Sequence, residues 1–410
     1  RLQGDWSSDV CSSDLATLEP FANLREIRDG LLAGLKRSLS DLLSYEDGEP
    51  GRFLAYDPTW GAVILYPEAF GSAWSLSDHH FQHGLLVYAA AMLGHHDPSF
   101  VRDFGGMVDL VARDYANPDR TARPPHPLPW LRHFDPWEGH SWATGLGGGK
   151  AFCPDCGDTG TDPATYALAS FAGPDQESTS EAMNAWAALY LWGEVRRDKA
   201  LRDMGVIGYA LEAESIREYV YDVDGGNYPP EFAPTMVSRI FGDAVDTATH
   251  FSADIQHAWG IQYLPTGPHM TYQGYFPDVR ARDYDFLRER LAGGIGGDWR
   301  DIHLMYRCWF EPEAVRAEYQ PEGPINHGNT EANLFYWVQV MNELGRVDTR
   351  YFSDAPSAIV MTRNGVPRGL AYNFTAAPKT IRFFRESDGS LAGAALLPRQ
   401  GHAVISLDAK

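Results

Sequence analysis

Apolar residues recur every three to four positions along most of this chain, the spacing of one face of an α-helix. Leu24, Ile27, Leu31 and Leu35 mark a first helix, and a second opens at Asp78 with Phe81, Leu85, Tyr88, Ala89, Met92 and Leu93. Phe100, Phe104, Met107, Val108, Val111 and Tyr115 mark a third. Ala182, Ala185, Trp186, Leu189 and Tyr190 place another directly after Glu181. Further helices are predicted over 201–219 and 299–310, and the series closes with 329–344, where Gly345 supplies a C-cap. The connections 117–129 and 222–234 are long and rich in Pro and Gly.

After Arg350 the period changes. Residues 358–361, 369–374, 380–384 and 403–407 read as short strands, and Asn364-Gly365 is a hairpin-turn signal. The pattern therefore predicts a mainly α protein with a small antiparallel β appendage over 351–410, structural in role. At 410 residues, with 44% hydrophobic and 13% aromatic positions, the chain can bury a sizeable core. No apolar run is long enough to span a membrane. A net charge of −21 opposes binding to nucleic acid, whose phosphates it would repel, but it does not disfavour a neutral polymer.

Two segments concentrate chemistry at helix starts. "SDHHFQHG" (77–84) puts Asp78 ahead of one helix, and "GPDQESTSEA" (173–182) puts Glu177 and Glu181 four residues apart ahead of another. That spacing lets the two glutamates share a face, and paired carboxylates are what acid/base hydrolysis needs. Acids also gather at helix starts for structural reasons alone. Ser178-Thr179-Ser180-Glu181 fits a capping box, and Ser77 or Asp78 suits an N-cap. Between the two segments lies "FDPWEGHSWATG" (134–145), polar and aromatic, a composition suited to holding sugar rings and their hydroxyls. Arg132 just before it, with Asp135, Trp137 and Trp142 within it, are candidates for lining a cleft.

The blocks "DHHFQHGLLVYAAA", "FDPWEGHSWATG" and "QESTSEAMNAWAALYLWG" closely resemble the signature blocks of glycoside hydrolase family 81, the inverting endo-β-1,3-glucanases or laminarinases. "FLAYDPTWGAVILYPEAFG" and "HAWGIQYLPTGP" agree in order, and the likeness runs over roughly residues 50–345. The resemblance implies an (α/α)6 toroid over 16–350 with a cleft at one mouth. It also implies a large N-terminal β-sandwich, which this chain is expected to lack. It makes Asp78 the general acid and Glu177 or Glu181 the base, with His79, His83, Arg132, Asp135, His140 and Trp142 around the substrate. His79 or His80 is alternatively an ordinary buried histidine. No cofactor or metal is implied, and the partner is a β-1,3-glucan, met outside the cell by a monomer. The chain departs from the family in reading Gln82-His83-Gly84-Leu85 after the first histidines and in an expanded stretch between Gly145 and Gln176.

The histidines carry the main rival reading. His79, His80 and His83 stand at spacings that can hold zinc, so a metal-dependent hydrolase is an alternative, although no His-Glu-x-x-His occurs. A non-catalytic glucan-binding fragment is the other. Cys153 and Cys156 form half of a zinc-ribbon spacing, with a structural role expected, while Cys308 reads as a buried packing residue. Residues 5–15 of the opening "RLQGDWSSDVCSSDL" resemble the translation of an adapter oligonucleotide, and the first fifteen residues are expected to be non-native.

Overall fold

The computed structural model describes residues 25–408 apart from 74, 122–127, 146–173, 243, 292–293, 322 and 327. Residues 1–15, with Cys11, lie outside the described residues, as do Cys153 and Cys156. Two compact units emerge, Arg1–Pro265 and Thr266–Lys410.

The first unit is built on helices α1 (Arg25–Leu42), α2 (His79–His96), α3 (Pro98–Tyr115), α4 (Thr179–Arg196) and α5 (Lys199–Ser215), the last running on into a π-helical turn, Ile216–Val220. Each of the five was predicted from periodicity. Two of the five start on capping aspartates. Asp97 caps α3, accepting from the N–H groups of Ser99 and Phe100 with Pro98 in the first turn, and Asp198 caps α5 through Ala200 and Leu201.

α2 and α4 are buried nearly all round, which marks them as central rather than amphipathic surface helices. Gly84 makes their close approach possible: a Cβ there would lie 2.7 Å from that of Ala185. The unit also carries short strands: the hairpin β1 (Phe53–Asp57) and β2 (Ala62–Tyr66), a two-residue hairpin β3 (Phe134–Asp135) and β4 (His140–Ser141), and β5 (Asp175–Gln176). β5 pairs with β6 (Arg239–Phe241), which pairs in turn with β7 (Val245–Asp246). A short helix α6 (Ile255–Gly260) and a 3-10 turn, Ile261–Tyr263, follow.

The second unit holds α7 (Pro277–Arg290), α8 (Arg300–Arg307), α9 (Pro312–Glu318) and α10 (Glu331–Leu344), with Gly345 at φ 86 ending the last. α7 and α9 were not predicted. Seven strands follow: β8 (Arg346–Val347), β9 (Tyr351–Ser353), β10 (Ala358–Arg363), β11 (Val366–Tyr372), β12 (Lys379–Arg385), β13 (Leu391–Leu397) and β14 (His402–Ser406). They form two antiparallel sheets, ordered β14-β11-β10-β8 and β13-β12-β9. Ile381 and Phe383 from one sheet meet Val360 and Ala371 from the other in a common core. Cys308 is fully buried, as its apolar surroundings in sequence imply.

Candidate active site

Asp78, Glu177 and Glu181 are brought together by a chain of backbone hydrogen bonds. The Asp78 N–H donates to the Ala143 carbonyl at 2.8 Å, and the Ala143 N–H donates to the Asp175 carbonyl at 2.7 Å. Asp175 also bonds Thr144 through its own N–H and through Oδ1. The start of α2, the segment after β4 and strand β5 are thereby locked side by side, two residues before Glu177. Gly145 is required at this seam, since a Cβ on it would fall 1.9 Å from the Ser75 carbonyl oxygen. On the far side Gln262 accepts from the Thr179 N–H and donates to the carbonyls of Glu177 and Ser238, tying the start of α4 to the 3-10 turn.

Neither acid-bearing helix is capped in the ordinary way. Asp78 is the N-cap residue of α2 but its carboxyl makes no capping bond, and its backbone is left-handed at φ 58. Ser178 likewise precedes α4 without a side-chain cap, so the capping box read in Ser178–Glu181 does not form. The Ser178 hydroxyl instead lies 3.2 Å from the Ile261 carbonyl and is shared with the Glu181 carboxyl. Elsewhere in the first unit Asp97, Asp198 and Asp254 do cap their helices. The carboxyls at the starts of α2 and α4 are therefore left over from helix building, and all three remain partly exposed.

Their electrostatics follow from crowding. Burial pushes the Asp78 carboxyl well above the usual carboxylate range, and the charges of Glu181, Glu177 and Asp175 push it further. Burial lifts Glu181 to about 7 against a hydrogen bond from Ser178, with Glu177 adding to the rise. Glu177 is raised as well, chiefly by burial, but two features of His250 work the other way: its ring charge and its N–H, which donates to Glu177 Oε1 at 2.7 Å. The site thus holds one carboxyl strongly biased toward its proton beside another with cationic support.

The remaining predicted residues take up other positions. His79 and His83 are buried against Asp114, with His79 Nδ1 at 2.6 Å and His83 Nδ1 at 3.1 Å from its Oδ2, and His79 Nε2 faces the Ser72 carbonyl. Arg132 is buried too, donating to both Asp114 oxygens and to the Gly61 carbonyl. Burial alone would raise Asp114, yet His79, Arg132 and His83 outweigh it and hold that carboxylate well below its usual range. His140 is buried, with Nε2 at 3.1 Å from Glu138 and its ring edge-on to the buried Trp142. Asp135 accepts from the N–H groups of Trp137 and Glu138 and so shapes the β3–β4 turn, which leaves Trp137 exposed at its tip. His79, His83, Arg132 and His140 are thus engaged with carboxylates, while Trp137 is open to solvent.

His79, His83 and Asp114 hold three ligand-type atoms within 4.8 Å of one another. A cation there would meet the Arg132 guanidinium already bonded to both Asp114 oxygens, so the donor set fits an ion-pair network better than a metal. His80 stands outside this group, its ring driven toward the neutral form by burial and by His133. The zinc reading of His79, His80 and His83 therefore has no shared site to rest on. Removing the hub of the network by Asp114→Ala strands Arg132 and two histidines in the interior. The expected result is a loss of about 3–5 kcal/mol in urea unfolding. A change under 1 kcal/mol would remove the hub role.

Periodicity overlooked two buried acids. Asp114 and Glu212 both lie on the inward stripes of their helices, in register with Val108 and Val111 or with Gly205 and Gly208. Glu212 accepts from Ser141, Gln176 and Trp186. An acid in register with an inward stripe is the signal that would have found them.

The model of the glycosyl hydrolase family 81 C-terminal domain matches residues 15–150 and 164–326. This chain belongs to glycosyl hydrolase family 81. Among curated relatives, the glucan endo-1,3-beta-D-glucosidase of Acetivibrio thermocellus is 30% identical over 383 residues, covering 93% of this chain and 46% of the relative. That of Thermobifida fusca is 32% identical over 388 residues, covering 92% and 47%. The chain spans about half the length of these relatives. A solved family 81 glycoside hydrolase from Clostridium thermocellum, a glutamate-to-alanine mutant, superposes with a TM-score of 0.85 at 28% identity, over 99% of this chain and 52% of that one.

Proposed function

We propose that this chain is the catalytic part of an endo-acting β-1,3-glucanase that hydrolyses with inversion. Asp78 is the general acid and Glu177 the general base. The observation that carries the reading is Asp78 itself: an uncapped, left-handed carboxyl lifted by burial and by three neighbouring acids. A proton donor to a glycosidic oxygen must keep its proton near neutrality, and such surroundings make it do so. Glu177, held through the His250 N–H, takes a proton from a water molecule on the opposite face of the sugar. The water oxygen bonds to the anomeric carbon as the bond to the leaving oxygen breaks, and that oxygen receives the Asp78 proton. Asp78 ends charged and Glu177 protonated, and exchange with solvent restores both. The Glu181 carboxyl, lifted to about 7, holds its own proton at mildly acidic pH and is not itself the base.

The substrate class comes from the relatives, whose names are glucan endo-1,3-beta-D-glucosidase. A neutral glucan is also the polymer an acidic chain tolerates. The same reading takes the helices as belonging to an (α/α)6 toroid, with catalysis outside the cell by a monomer. Among the described residues no helix is long and apolar enough to cross a membrane. Proton NMR of laminarin digestion at early times should show new reducing ends as α-anomers. β-Anomers appearing first would overturn inversion. Loss of activity on chelation with recovery on adding zinc would restore a metal mechanism.

A further inference from the structure

The loop after β7 reaches back over the acids, and no part of the acid/base scheme uses its side chains. Its His250 makes three contacts at once. The backbone N–H donates to Glu177 Oε1 at 2.7 Å, ring Nε2 lies 2.8 Å from Asp175 Oδ2, and ring Nδ1 lies 3.1 Å from an Arg239 nitrogen. The loop is anchored independently of the ring. Arg239 Nε donates to the Ala248 carbonyl, Thr249 and Ser252 close a turn through their backbones, and the Ser252 hydroxyl meets His257.

Asp175 explains why such a residue is needed. It is buried, its Oδ1 is fixed by the Thr144 hydroxyl, and it sits two residues from Glu177. Left bare, its charge would drive Glu177 toward its protonated form, in which it is useless as a base. Arg239 answers this charge only in part, since it stands 3.7 Å from Asp175 Oδ2 while also bonding Asp246 from β7.

We propose that His250 is a positioning residue for catalysis: it bridges Asp175 and Glu177, screening the first from the second and so keeping the base ionised. The inference rests on Glu177 being the base. The charged groups around the ring are Asp175 from β5, Glu177 beside it, Arg239 from β6, and Asp246 behind Arg239. Burial works against a charged His250, but Asp175 and Glu177 outweigh burial and Arg239 and raise it above the usual histidine range. The Arg239 donor at Nδ1 fits a neutral ring whose Nε2–H donates to Asp175 Oδ2, and a second proton at Nδ1 adds charge to the screen as Arg239 turns aside.

The test is the pH profile of kcat/KM on laminarin. His250→Ala keeps the loop anchors and the backbone donor but removes the ring. Its acid limb is expected to move up by about one pH unit, with the alkaline limb unmoved and KM little changed. In the double variant His250→Ala, Asp175→Asn the charge to be screened is gone, and the acid limb should return. A reader independent of turnover is carbon-13 NMR titration of the glutamate side-chain carboxyls, with the Glu177 resonance assigned by its loss in Glu177→Gln; it should titrate higher in His250→Ala. An unmoved acid limb or an unmoved Glu177 titration overturns the inference, and so does a shift that persists in the double variant. Full activity in Glu177→Gln would instead overturn the assignment of the base.

Discussion

Asp78→Asn is expected to lower turnover on laminarin by about 10²–10⁴-fold without lowering the unfolding midpoint below that of the parent. The two effects separate because Asp78 does no capping: its side chain makes no bond to the first turn of α2, so the usual loss of about 1 kcal/mol for a missing cap does not apply. Asparagine also tolerates the left-handed backbone at this position. The sign of the stability change with pH is set by the raised carboxyl. The folded protein holds this proton more tightly than the unfolded chain, so the contribution to stability is present at low pH. It is lost as pH rises from the unfolded value through the raised folded one. The amide carries no such loss, and Asp78→Asn should gain on the parent as pH rises. Activity retained within a factor of a few, or a variant unfolded at neutral pH, would remove Asp78 from the role of acid.

Glu177→Gln and Glu181→Gln should part company. The first is expected to cost about 10²–10⁴ in turnover, as loss of a general base does. The second is expected to cost far less and to change stability with pH. Glu181 is lifted from 4.5 to about 7, so its folded carboxyl keeps the proton that the unfolded chain gives up, and parent stability falls as pH rises across that window. Glutamine removes the ionisation, so Glu181→Gln should match the parent near pH 4 and exceed it by pH 8 in denaturant midpoint. Turnover compared at pH 6 together with unfolding at both pH values reads out both halves. An inactive Glu181→Gln beside an active Glu177→Gln would reverse the assignment.

Much of this arrangement is legible in the sequence because it is local. The α2 and α4 patterns, the acids set just ahead of them, and the break to short strands after Arg350 are properties of neighbouring residues. β10, β11, β12 and β14 were found for that reason. β13 was missed because Leu391–Leu397 is rich in alanine and lacks β-branched residues; only pairing with β12 makes it a strand. The same limit explains the histidines. His79, His83 and Arg132 sit in motifs full of functional-looking chemistry, but whether such a side chain meets substrate or a buried carboxylate depends on where Asp114 lies, 35 residues from His79 along the chain.

The sequence by itself determined the helical class, the β-rich tail and the positions of the three acids, because helix periodicity and motif spacing act over a few residues. The tertiary structure alone decided what those acids are. Burial raised Asp78, long-range bonds from Ala143 and Asp175 set it beside Glu177, and a loop some 70 residues further on put His250 on the proposed base. Protonation depends on every charge and every layer of protein within a few ångströms, and that neighbourhood exists only once the chain has folded.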